Sequence, residues 1–478
     1  MSLTRGPHYS SMYVSQLLSE YIKNKKTNIK KCAEYFQMDR STLYKIIRGE
    51  RKAPSRDFIL KISQYLYLTN DEKKELLNAY EIDKVGEFQY YCRQHVSSFL
   101  KEAALLDNHS FTSTEVLHTD LKPGHYSNIY DIEHLFYELF LLESKEKDPH
   151  IRILAQPTHA LYLLRMVCQN KPNINITHIF CLDNTNALTK DNQFYNLSVL
   201  TNIMPLIFNN DHYSAYYYYN EINAIKNHLC FFPNIILTHK YLLIYTNDHS
   251  NGILYGRGET YDAYEDLFNQ YLKETRSLIT NQNNISDATG DYHYLLFAPP
   301  ISALYQEEDP FPLPLEDNQN SIDFIESFKN HSTRLKQFVK GNKNHLSGLF
   351  TIQGLRCLVN TGYTTAFPSP LCQPLTIDDR IKILRRQKNF MNLYPIQLVD
   401  VPEYSDTSFL IIVMSMNTLY FQIVSTSGTV KTIQFHEASL VMAFNDYYQY
   451  ILEERCFSKE EASQIIDSYI TQLDMLKE

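Results

Sequence analysis

The sequence predicts a multidomain chain, an N-terminal all-α segment of five short helices followed by a large α/β region of mixed α+β character. Three observations carry this expectation. Residues 28–52, NIKKCAEYFQMDRSTLYKIIRGERK, set apolar side chains at helical spacing in two short runs separated by three residues. Beyond residue 85, short β-rich runs alternate with longer helical ones, as in layered α/β proteins. Charge divides along the same line. Residues 1–60 hold 12 Lys and Arg against 5 Asp and Glu, a balance of +7, and the remainder 33 against 49, a balance of −16. A basic head on an acidic body directs one end of the chain toward phosphate and keeps the rest away from it.

The N-terminal elements read in order as Met12–Lys25, Ile29–Phe36, Arg40–Arg48, Arg56–Tyr67 and Asp71–Ile82. Asp39 is suited to cap the third helix and Thr69 to open the fifth, because short oxygen-bearing side chains accept from free first-turn amides. Gly49 suits the left-handed residue that ends a helix. Cys32, Ala33, Phe36, Leu43, Ile46 and Ile47 fall on one side of the pair, which predicts a small core. Arg40, Ser41, Thr42, Tyr44, Lys45 and Arg48, followed by Arg51 and Lys52, are left over, a set with the chemistry for phosphate neutralisation and base-edge hydrogen bonds.

The run CAEYFQMDRSTLYKIIRGER resembles the Cro/repressor-type helix-turn-helix family, often called XRE, whose members read "LA…LGVSRSTLSRIERGKR". The resemblance covers about the first 85 residues. It implies that the second helix of the pair is a recognition helix, with Arg40, Ser41, Tyr44 and Lys45 at base edges and Arg48 at a phosphate. Two positions depart from the pattern. Gln37 replaces the turn glycine and takes φ > 0 only at a cost, and Ile29 replaces a frequent polar residue at the start of the first motif helix.

Domain expectations follow: residues 1–85 as the helix-turn-helix domain, 86–107 as a connecting helix, 108–304 as an α/β sensor domain, 305–321 as a linker, and 322–478 as an α+β domain for oligomerisation or sensing. The linker segment, YQEEDPFPLPLEDNQNS, combines three prolines with acidic and polar residues. In the body, helices are expected at Tyr90–Leu106, Ile129–Leu142, His159–Gln169, Asn196–Phe208, Ala215–Leu229, Tyr261–Ile279, Ile322–Phe338, Glu437–Leu452 and Lys459–Leu476. Strands are expected at Ile151–Ala155, Ile176–Leu182, Phe231–Leu237, Tyr241–Thr246, Gly252–Tyr255, Phe409–Ser415, Leu419–Ser425 and Val430–Phe435. The cluster Tyr213, Tyr216, Tyr217, Tyr218 and Tyr219 reads as part of a packed helix, and GILYGRGE at 252–259 as a loop after a strand.

Enzyme signatures are weak. The sequence has no HExxH, no G-x-x-x-x-G-K-[ST], no G-x-G-x-x-G and no G-x-S-x-G, and only 13 glycines. The strand–strand–helix run Ile235–Leu272 is loosely similar to phospholipase-D-like domains, whose His-x-Lys pair supplies a nucleophilic imidazole and a phosphate-holding lysine. Here Lys240 follows His239 directly, so the spacing is wrong. A related fold lacking its active site and an unrelated α/β sheet both remain open. The expectation is therefore no enzyme, no cofactor, no metal and no catalytic residue.

The eight cysteines form no CxxC pair and read as thiols of a reducing compartment. No apolar run approaches the roughly 20 residues that cross a bilayer, so a cytoplasmic location away from membranes is expected. Abundant Tyr (37) with no Trp suits an AT-rich coding sequence better than a tyrosine-specific function. The functional expectation is a bacterial DNA-binding transcriptional regulator. Its partners would be double-stranded DNA, a second copy in a homodimer, and a small-molecule or peptide effector bound by the large region. The alternatives are an antitoxin- or defence-type scaffold engaging a partner protein and, ranked last, a DNA-targeted enzyme.

Overall fold

The computed structural model describes residues 13–105, 121–157, 164, 173–183, 194–210, 212–220, 233–281, 292–296, 313–315, 319, 321–323, 325–326, 329, 346–364, 372–401, 410–414, 418–424 and 430–477. It is a mixed α+β multidomain chain whose residues divide into two compact units, Met1–Gln94 and His95–Glu478. All of the expected helix at 159–169 but Leu164, most of the 305–321 segment and most of Ile322–Phe338 lie outside the described residues.

The first unit is helical: α1 Tyr13–Asn24, α2 Ile29–Tyr35, α3 Arg40–Ile47, α4 Arg56–Tyr65, α5 Asn70–Val85 and the start of α6 Glu87–Leu105. Its core gathers Val14, Leu18, Cys32, Ala33, Leu43, Ile46, Ile59, Ile62 and Leu76. Each short helix is held by caps. Asn28 accepts from the amides of Lys30 and Lys31, Ser55 from Phe58, and Thr69 and Glu72 form a reciprocal capping box. The Asp83 carboxylate reaches back to the amides of Tyr13 and Val14 at 2.9 and 3.0 Å and caps α1 from α5.

The second unit contains two sheets. The first is ordered β1-β7-β6-β5-β2-β3-β4-β8, where β1 is Gly124–Tyr126, β2 His150–Leu154, β3 Asn175–Asp183, β4 Tyr213–Asn220, β5 Asn234–Leu237, β6 Tyr241–Tyr245, β7 Gly252–Gly256 and β8 Arg276–Ser277. The second is ordered β12-β11-β10-β13-β14-β15-β9, where β9 is Ile279–Asn281, β10 Tyr292–Leu296, β11 Leu346–Thr351, β12 Ile396–Val399, β13 Leu410–Met414, β14 Leu419–Val424 and β15 Val430–Phe435. One plan is used twice. In each sheet three consecutive strands run parallel (β2, β3, β4 and β10, β11, β12). A three-strand antiparallel meander then returns to the other side of the first of them, and the earliest strand closes the edge. The chain passes from one sheet to the other at Leu278.

Helices cover both faces of each sheet, which explains the almost continuous burial of β3. On the first sheet, α7 (Ile129–Glu143) sets Phe136 against Tyr245 at 4.8 Å between ring centroids, and α8 (Tyr195–Asn209) lies between β3 and β4 in sequence. On the opposite face, α9 (Glu259–Glu274) buries Tyr261 and Phe268 among Ile179, Ile235, Leu242 and Ile244. On the second sheet, α10 (Ile352–Thr361), α11 (Ile377–Leu393) and α13 (Lys459–Met475) pack on Phe350, Ile396, Leu398 and Tyr420. The neighbouring Phe421 points the other way, as alternation along a strand requires, and meets Phe444 of α12 (Ala438–Glu454) and Phe99 of α6.

Three expectations are corrected here. The tyrosine run Tyr213–Tyr219 and the helix assigned to Ala215–Leu229 are replaced, over 213–220, by β4. Aromatic side chains favour the pleated surface, and alternate residues Tyr213, Ala215 and Tyr217 are buried between flanking elements. The strand expected at Gly252–Tyr255 is β7, but GILYGRGE does not end in a loop: a helix begins directly after Gly258, with Glu259 and Asp262 offsetting the positive helix terminus. That helix ends at Glu274 and not near Ile279, giving way to β8 and β9.

Cys32, Cys92, Cys181, Cys357, Cys372 and Cys456 carry free thiols. Among the described residues no helix is long and apolar enough to cross a membrane, and no group of His, Cys, Asp and Glu is placed to hold a metal ion.

Candidate nucleic-acid interface

α2 and α3 are joined by a tight turn whose geometry follows from its sequence. The amide of Gln37 donates to the Glu34 carbonyl and that of Met38 to the Ala33 carbonyl, closing the end of α2 with Gln37 at φ +50°. A glycine would adopt this conformation without cost. A glutamine holds it because both flanking amides are bonded and Met38 packs on the core. Asp39 then caps α3, accepting from the Ser41 amide at 3.1 Å and from the Ser41 hydroxyl. These hydrogen bonds, the hydroxyl foremost, hold the Asp39 carboxyl below its ordinary range. α3 ends as Gly49 takes φ +74° and the Glu50 amide donates to the Lys45 carbonyl at 2.8 Å.

With Leu43, Ile46 and Ile47 buried, the helix period leaves Arg40, Ser41, Lys45 and Arg48 exposed, with Thr42 and Tyr44 half-buried. Arg51 is exposed beyond the cap. Among the described residues Arg40, Lys45, Arg48 and Arg51 make no ion pair. Lys52 differs: its Nζ donates to the Asp83 carbonyl at 2.5 Å, tying the loop after α3 to the end of α5. Sequence reasoning put Tyr44 at a base edge and did not see its partners. The Arg40 and Arg48 guanidinium carbons lie 5.4 and 5.8 Å from its ring centroid.

The His239–Lys240 pair lies in the turn between β5 and β6 and is fully engaged. The His239 Nδ1 donates to the buried Glu143 carboxylate, which also accepts from the backbone amides of His239 and His150. Lys240 pairs with Glu146 at 2.7 Å. The adjacent Arg257 donates from Nε to the His239 carbonyl at 2.6 Å and covers the Tyr261 ring at 4.1 Å. These contacts fasten α7, the β5–β6 turn and α9 together.

No family model matches the chain, and no curated protein matches it. Among solved structures it is similar to a phosphatidylserine synthase of Haemophilus influenzae Rd KW20, with 10% identity over 79% of this chain and 99% of that one and a TM-score of 0.22. That structure is a synthase and not a DNA-binding transcriptional regulator, and the expectation of a regulator for the whole chain is withdrawn. At that TM-score neither the fold nor the activity of the synthase is carried to this chain.

Proposed function

We propose that the N-terminal unit is a five-helix helix-turn-helix domain that binds double-stranded DNA through α3. The observation that carries this reading is the set of exposed cations without carboxylate partners, Arg40, Lys45 and Arg48 along α3 and its C-cap and Arg51 just beyond, on a helix whose N-terminus is capped and whose other face is core. Such a set exchanges condensed counterions for phosphate contacts, which supplies sequence-independent affinity. A capped helix of eight residues is about 12 Å long, of a size to enter a major groove about 12 Å wide. One head offers a small interface, so two heads of a homodimer on a two-fold-related site would supply the rest. The body is assigned no part in this reading.

The test is fluorescence anisotropy of labelled duplex DNA with the full chain over a range of salt. Arg40→Ala/Lys45→Ala is expected to weaken binding by at least tenfold, since each charged contact to DNA is worth on the order of 1 kcal/mol or more. Equal binding by the variant and the unaltered chain would remove the reading.

A further inference from the structure

Arg40, Tyr44 and Arg48 recur every four residues and so lie along one stripe of α3. The two guanidinium groups flank the Tyr44 ring at 5.4 and 5.8 Å, within the roughly 6 Å over which a cation is drawn to an aromatic face. Arg40 also donates from Nη2 to the Tyr44 hydroxyl at 3.5 Å. Asp39, the carboxylate next to Arg40 in sequence, is occupied by Ser41 and forms no ion pair with Arg40. Arg40 is therefore steered by an aromatic residue, which leaves all but one of its hydrogen-bond donors available, and not by an acid, which would take two of them in a bidentate pair.

The position of Arg40 matters as much as its partner. It is the first residue of α3, and the N-terminal residues of a recognition helix are those that meet base edges. A planar guanidinium matches the O6 and N7 acceptors of guanine in the major groove. Holding that plane before binding reduces the side-chain entropy lost on contact. Arg48 closes the helix about two turns further on, where a phosphate contact would complete the row.

We infer that Tyr44 is a positioning residue that holds Arg40 as a guanine reader, so that the preferred ligand is duplex DNA with a guanine opposite the start of α3. This rests on the DNA-binding reading above. The Tyr44 ring, more than its hydroxyl, performs the positioning.

The experiment uses the full chain and a library of duplexes with a randomised core, sequencing the bound fraction. Affinity is then measured on the enriched duplex and on a copy with 7-deazaguanine, which lacks the N7 acceptor but pairs normally. The unaltered chain is expected to enrich a fixed guanine and to lose about tenfold in affinity on 7-deazaguanine. Tyr44→Phe keeps that discrimination. Tyr44→Ala loses it while keeping the helical circular-dichroism signal and thermal transition of the unaltered chain, a pattern that loss of folding would not give. Arg40→Ala is insensitive to 7-deazaguanine, and adding Tyr44→Ala to it changes nothing further. Retention of guanine discrimination by Tyr44→Ala, or enrichment without a fixed guanine, would overturn the inference and leave DNA binding standing. Failure of the unaltered chain to bind any duplex would overturn both.

Discussion

The two units treat their cations differently. Among the described residues of the N-terminal unit, Arg40, Lys45, Arg48 and Arg51 face solvent without carboxylate partners, and ion pairs such as Lys25 with Glu72 and Lys61 with Asp57 lie off α3. In the body, Arg152 pairs with Glu265, Lys240 with Glu146, Lys388 with Asp467 and Lys477 with Asp378. Exposed pairs contribute only about 0–1 kcal/mol, so leaving four cations unpaired costs the small unit little stability. It keeps them available to an external polyanion. The contrast teaches that the partner of the first unit is to be sought by charge, while these charges of the body fasten its own elements to one another.

The comparison can be broken most directly through the cores. Phe268 is fully buried between α9 and the first sheet, and Phe268→Ala is expected to destabilise the body by about 3–5 kcal/mol. Differential scanning calorimetry of the full chain should show one transition falling and the N-terminal one unmoved. Both transitions falling together would mean that the two units are not independent.

A second difference is in response to pH. The fully buried His178 donates from Nε2 to the Ala155 carbonyl and accepts from the Tyr213 hydroxyl at Nδ1, and burial lowers its pKa to about 4. An unfolded histidine titrates near 6.5. Between these values the unfolded chain holds more protons, so stability is present above pH 6.5 and falls as pH drops toward 4. The loss at pH 5 is about 2 kcal/mol. His95 and His150 are shifted down by burial as well and act in the same sense. Residues 13–94 contain no histidine, so chemical denaturation at pH 7.5 and 5 should weaken the body and spare the N-terminal unit. Equal weakening of both would contradict the assignment.

Smaller effects sharpen the contrast. Arg51→Ala should lower the slope of log affinity against log salt by about one, whereas Lys240→Ala should leave it unchanged. A slope that responds to Lys240 would put DNA on the body. The smallest effect expected is that of Gln37→Gly, which relieves the left-handed strain at φ +50° and should stabilise the N-terminal unit by at most about 1 kcal/mol. A lower melting temperature in that variant would show that the Gln37 side chain contributes more than its backbone conformation costs.

The elements of the N-terminal unit were legible because their determinants are local. Asp39, Gly49 and Thr69 mark helix ends wherever they occur with the right neighbours, and the buried set of α2 and α3 follows from spacing alone. In the body, individual strands such as Ile176–Leu182 and Val430–Phe435 could be read, but their order could not. That β5 returns to the far side of β2, and β13 to the far side of β10, depends on pairing between residues distant in sequence. The repetition of one sheet plan was invisible for the same reason, since its loops differ in length and only its pairings recur. The tyrosine run failed because eight residues support either period, and burial of alternate residues decided for β4. At the candidate interface, spacing placed Arg40, Tyr44 and Arg48 on one stripe. That the two guanidinium groups flank the ring is a matter of rotamers, which sequence does not set.

The central claim is tested most directly by DNA affinity measured on the full chain at two or more salt concentrations, with Arg40→Ala/Lys45→Ala and the body variant Lys240→Ala alongside. The account predicts binding that weakens steeply with salt, is reduced at least tenfold by the α3 substitutions and is unaffected by Lys240→Ala. Binding that persists unchanged without Arg40 and Lys45, or that is lost with Lys240, would contradict it.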